Sequence, residues 1–86
     1  MPEISRFFGI VIAIYYNDHE PAHFHARYGD SEAPIDIMTG ATLSGALPPR
    51  AMRLVLEWTA LHRRELLADW ARARMREPLE RIDPLE

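Results

Sequence analysis

The chain has 86 residues, which allows one domain near the lower size at which a single apolar core suffices. Nearly half the residues are hydrophobic (48%), so a disordered class is excluded, and with no cysteine there are no disulfides and no thiolate metal sites. The net charge is −3 with no lysine: residues 1–49 carry two arginines against six acids, whereas residues 50–76 carry seven arginines against three.

Met1 to Arg6 reads as a short polar lead. Phe7 to Tyr16 is dense in β-branched and aromatic residues, the composition of a strand buried on both faces. At ten residues it falls well short of the roughly 20 that span a bilayer. The opening also lacks the order of a signal peptide, so the sequence predicts a soluble, cytoplasmic protein with no membrane partner. Asn17 to Pro21 supplies turn chemistry. His23 to Tyr28 alternates as a second strand, antiparallel to the first because the connection is short. Glu32 to Met38 predicts a third strand, placed at an edge or bulged by Pro34, which has no donor. Thr42 and Leu43 suggest a brief fourth.

Leu47-Pro48-Pro49 ends the sheet, and proline is welcome in a first helical turn. From Arg50 the period changes: Ala51, Leu54, Val55, Trp58 and Leu61 form a stripe that faces a core, continued through Leu66, Leu67, Trp70 and Ala73 to Met75. One helix to Met75 would be about 40 Å long, more than short strands can cover. Two helices with a bend near His62 are therefore predicted, with Trp58 and Trp70 as core anchors. The fold class expected is α+β: a single domain over 1–86 with an antiparallel meander of three or four strands (about 7–46), two helices on one face (about 49–76) and an extended tail (77–86). Domains this small are often completed by a partner, a homodimer interface or a metal.

The chemistry concentrates in Tyr15 to Gly29, YYNDHEPAHFHARYG, which holds three of the four histidines. On a strand, His23 and His25 project from the same face, the one left uncovered by the helices, while Phe24 and Ala26 point to the helices. Three readings follow. His19, His23 and His25 are candidate ligands for a divalent transition metal, with Asp18 or Glu20 as oxygen donor or outer partner, which gives a hydrolase-like site. The same histidines with Arg27 and Tyr28 are candidate catalytic residues for ribonuclease-like acid–base chemistry, the arginine steadying phosphate charge. The third reading is structural, with imidazoles stitching an exposed sheet face. Asp36, on the next strand, is placed to orient one of them. Arg50, Arg53, Arg63 and Arg64 are a candidate nucleic-acid or partner surface, since every cation here is a planar guanidinium suited to phosphate.

The stretch PEISRFFGIVIAIYYNDHEPAHFHARYG, with its anchor DHEPAHFH, and the later anchor LEWTALHRRELLADW resemble the bacterial domain-of-unknown-function family 4160. Phe8, Gly9, Tyr16, Asp18, His19, Pro21, His23, His25, Tyr28, Gly29, Leu47, Pro48, Trp58, His62 and Trp70 match that pattern; Ala22 and Pro34 depart from it. The resemblance implies a gene encoded beside a second small protein, the pair acting as a type II toxin–antitoxin system. The function expected is the toxin-like member, acting on RNA or translation and masked by a cognate antitoxin-like protein. The alternative is a non-catalytic protein- or DNA-binding module, stabilised by metal.

Overall fold

The computed structural model describes residues 2–86. The apolar opening forms two strands where one was expected: β1 runs Glu3–Phe7 and β2 runs Ile10–Ala13. Phe8 and Gly9 turn between them with φ of 50° and 80°. A two-residue loop with both residues left-handed matches the twist of the strands it joins, so the glycine inside the β-branched run is a turn residue. The polar lead is thereby a paired strand from Glu3 on; its Met1 lies outside the described residues. β3 (His23–Tyr28) occupies the span its alternation predicts, and β4 is Ser31–Asp36. The four strands lie in order β1-β2-β3-β4, all antiparallel.

β4 ends at Asp36, two residues before the expected Met38, because Asp36 Oδ1 accepts the backbone N–H of Met38 and of Thr39 and turns the chain. The segment that follows doubles back along this edge strand. Leu43 donates its N–H to the Pro34 carbonyl, and Thr42 bridges Ile35, so the brief strand expected at Thr42–Leu43 is a single bridge. Pro34 thus sits where a missing donor costs little.

A single helix, α1 (Pro49–Arg74), crosses one face of the sheet. The bend expected near His62 is present, with φ −124° and ψ 22° at that residue, but the backbone runs on through it, so the described residues form one helix and not two. The length objection fails because the sheet does not cover the helix alone. The tail from Glu77 folds back over it: Ile82 and Leu85 are buried in the core. Ile82 donates its N–H to the Ile4 carbonyl, and the Trp58 indole Nε1–H donates to the Asp83 carbonyl at 2.8 Å. The bend also rotates the apolar stripe. Ala51, Val55, Trp58, Leu66, Trp70 and Ala73 face inward, whereas Leu61 (67%) and Met75 (69%) are exposed, contrary to their places in the expected stripe.

Trp58 centres the core, its ring 5.2 Å from Phe7 and 5.9 Å from Phe24. Pairing register assigns the faces. Ile10, Ile12, Phe24, Ala26, Ala33 and Ile35 lie toward the helix; Val11, Ala13, His25, Arg27, Glu32 and Pro34 lie on the opposite face. No helix among the described residues is long and apolar enough to cross a membrane.

Candidate functional site

The loop after β2 folds back across the start of β3. Asn17 takes a left-handed conformation (φ 64°), which Asn tolerates better than most residues, and Asp18 follows with its Oδ1 accepting the His19 N–H at 3.1 Å. That local bond aims the other oxygen inward. Asp18 Oδ2 lies 2.9 Å from His23 Nε2 and 3.4 Å from His25 Nε2. One carboxylate oxygen therefore joins the two imidazoles that strand periodicity places on one face.

Each imidazole is fixed from behind. His23 Nδ1 is 2.7 Å from the Pro21 carbonyl oxygen, and its ring packs 5.1 Å from that of Trp70. His25 Nδ1 lies 3.4 Å from Glu32 Oε2, and the Tyr15 ring stands edge-on to it at 4.4 Å. Burial alone would push the Asp18 carboxyl up; the charge of His23 and the hydrogen bonds from His19, His25 and His23 outweigh it and hold the group below its usual range. Asp18 is thus ionised and can only accept. The Pro21 carbonyl, likewise an acceptor, faces the other ring nitrogen of His23. Burial, then the neighbouring Glu32, pushes the Tyr15 hydroxyl up.

The cluster differs from the expected set in its membership. Asp18, His23 and His25 each offer a ligand atom, and these lie within 4.8 Å of one another. His19 does not join them: its side chain is 92% exposed and 3.8 Å from Asp18 at its nearest ring nitrogen. His23, expected on an open face, is 5% exposed, because the Trp70 ring packs against it at the start of β3 and the Asp18 loop folds over it. His25 is partly exposed (21%) and is the imidazole that solvent reaches. Arg27 lies on the same sheet face, two residues further along β3, and its charge acts on Tyr15.

Tyr28 is not part of this cluster. It ends β3 on the helix side and lines a separate cavity with Phe8, Ile10, Pro48, Arg50 and Leu54. Among the helical arginines, Arg50, Arg53 and Arg64 are exposed, while Arg63 donates Nε–H to the Ile37 carbonyl and so pins the turn after β4 to the helix. Asp36 serves its own turn and does not orient a histidine. Glu32 does so instead, a role readable only once the Gly29 turn is known to set Arg27 opposite Glu32. Arg74 and Glu20 complete the rim, paired at 2.8 Å, with the guanidinium 5.9 Å above the Trp70 ring.

A divalent transition ion fits these donors: two imidazole nitrogens and one carboxylate oxygen, with the rear nitrogen of His23 hydrogen-bonded to a carbonyl and that of His25 facing the Glu32 carboxylate at 3.4 Å. The metal-free arrangement can also hold or move a proton at His25. Comparisons with curated proteins and with solved structures find no match. The family model described as "Domain of unknown function (DUF4160)" matches residues 9–71, a span that holds Asp18, His23, His25, Glu32 and Trp70, and the chain belongs to that family.

Proposed function

We propose that the protein is the toxin-like member of a two-protein bacterial pair, acting on RNA at the Asp18–His23–His25 cluster. The observation that carries this reading is the setting of His25. Its imidazole is held between the carboxylates of Asp18 and Glu32, open to solvent, with Arg27 beyond it on the same face. An oriented imidazole beside a guanidinium suits phosphodiester chemistry, one to handle protons and the other to meet phosphate charge. Arg50, Arg53 and Arg64 add exposed cations for an RNA backbone. The sequence resemblance to paired bacterial genes supports the masking partner.

The test is expression without the neighbouring protein, scored as growth and as intact RNA. Arrest with RNA loss, abolished by His25→Ala and retained by His19→Ala, supports the reading. Unchanged growth of cells making folded protein overturns it.

The burial of His23 favours a second reading, a metal-stabilised binding module without catalysis. A residue 5% exposed against Trp70 acts on the fold more readily than on a substrate. Under that reading, partner binding survives replacement of all three turn histidines wherever the variant remains folded.

A further inference from the structure

We propose that Asp18, His23 and His25 form a mononuclear site for a divalent first-row transition ion, zinc or ferrous iron by donor type, and that His19 is not a ligand. The inference deepens the reading above by naming the cofactor of that site, and it rests on that reading only for the site's use.

The geometry comes first. Three ligand atoms from two elements, the loop after β2 and strand β3, converge within 4.8 Å. Ion–donor bonds of about 2.0–2.2 Å set donor atoms in one coordination shell about 3–3.5 Å apart, and two of these separations are 2.9 and 3.4 Å.

The second argument is the wiring of the rings. The Pro21 carbonyl can only accept, so it fixes a proton on His23 Nδ1 and leaves Nε2 to face Asp18. Glu32 Oε2 lies 3.4 Å from His25 Nδ1, and Nε2 turns to the same Asp18 oxygen. Both rings therefore present Nε2 inward and have Nδ1 held from outside. Ligating histidines are oriented by an outer carbonyl or carboxylate in this manner.

Ligand chemistry narrows the ion. Imidazole with one carboxylate suits zinc and ferrous iron, whereas an all-oxygen shell would suit magnesium or calcium, and thiolates would suit copper(I). Three protein ligands leave coordination positions for water, the mark of a working site more than of a closed structural one. His25 and Asp18, each 21% exposed, form the solvent side, and His23 against Trp70 forms the floor.

The experiment uses the full chain, stripped with chelator and titrated with cobalt(II), then zinc(II), at neutral pH. One cobalt per chain, with visible absorption bands of a low-coordinate ion and displacement by zinc, is expected. Trp70 fluorescence should change with the same stoichiometry. Asp18→Asn and His25→Gln should each weaken cobalt by more than the roughly 10–100-fold that loss of an outer partner costs. Glu32→Gln should fall within that range, and His19→Ala should bind as the parent does. Far-UV circular dichroism identifies variants that retain the fold; His25→Gln, at the exposed side, keeps the test decisive if Asp18→Asn does not. No cobalt bound by the parent, binding untouched by His25→Gln, or binding lost in His19→Ala would each overturn the site. Cobalt binding without growth arrest leaves the site standing and removes the toxin-like reading; growth arrest with no metal bound does the reverse.

Discussion

Asp18 is where one substitution tests the site independently of any ion. Asp18→Asn keeps the size and the oxygen that accepts the His19 N–H, but it removes the charge facing His23 and His25. A hydrogen bond to a charged group contributes about 1.5–3 kcal/mol, whereas an exposed ion pair contributes about 0.2–1 kcal/mol. The Asp18 side chain is 21% exposed and its closest partner 5%, so a loss of about 1–2 kcal/mol is expected. For a chain this size that lowers Tm by roughly 4–16 °C. The pH dependence has a definite sign. The folded carboxyl lies below its ordinary value of 3.8, so the unfolded chain binds more protons in that window and stability rises with pH there. The contribution is present above pH 3.8 and is lost as pH falls through the lower, folded value. Urea denaturation in excess chelator, followed by tryptophan fluorescence from pH 7 into acid, reads both effects. Parent and variant should differ at pH 7 and converge in acid. Equal stability at pH 7, or a gap that widens toward acid, would refute the geometry.

Other substitutions probe the scaffold. Ile82→Ala removes a buried tail side chain and should cost about 2–4 kcal/mol, read as a lower urea midpoint at unchanged slope. Gly45→Ala would put a Cβ 2.6 Å from the Glu32 carbonyl oxygen at a φ of 66°, so a loss of about 1–3 kcal/mol is expected in the same assay. Leu61→Lys, at a position turned outward by the bend at His62, should change stability by no more than about 0.5 kcal/mol.

The sheet and the site were legible to different degrees because they depend on different ranges of the chain. The β3 span follows from its own alternation, and the edge position of β4 follows from Pro34; both are local signals. The hairpin at Phe8–Gly9 was obscured by the β-branched residues around it, since Gly9 is its one turn-type residue and Phe8 takes a left-handed conformation against its type. The single helix could not be inferred without the tail, whose Ile82 and Leu85 show no periodicity yet cover it. At the site, period-two reasoning brought His23 and His25 together. Of the two acids the turn offers as oxygen donors, Asp18 and Glu20, loop fold-back selects Asp18, while Glu32 arrives by strand register, which sequence spacing does not encode. His19 has the right chemistry and lies beside Asp18, but the local bond from its N–H leaves its ring in solvent.

The family match and the folding unit also have different limits, and this gives a final test. Residues 9–71 contain every member of the cluster, yet they leave out β1, the last turn of α1 and the whole tail. With those go the buried side chains of Ile4, Phe7, Ile82 and Leu85, the acceptor for the Trp58 indole, and the strand pairing along β2. Burying each such side chain contributes about 1.5–3 kcal/mol, so the four together contribute roughly 6–12 kcal/mol, against a total stability of about 5–15 kcal/mol for an ordinary domain. A fragment of residues 9–71 should therefore fail to fold although it carries the complete cluster, giving a collapsed amide spectrum by NMR and no cooperative urea transition. Dispersed amide signals and a cooperative transition from that fragment would refute the argument, because the tail and β1 would then be accessory to a core that closes without them.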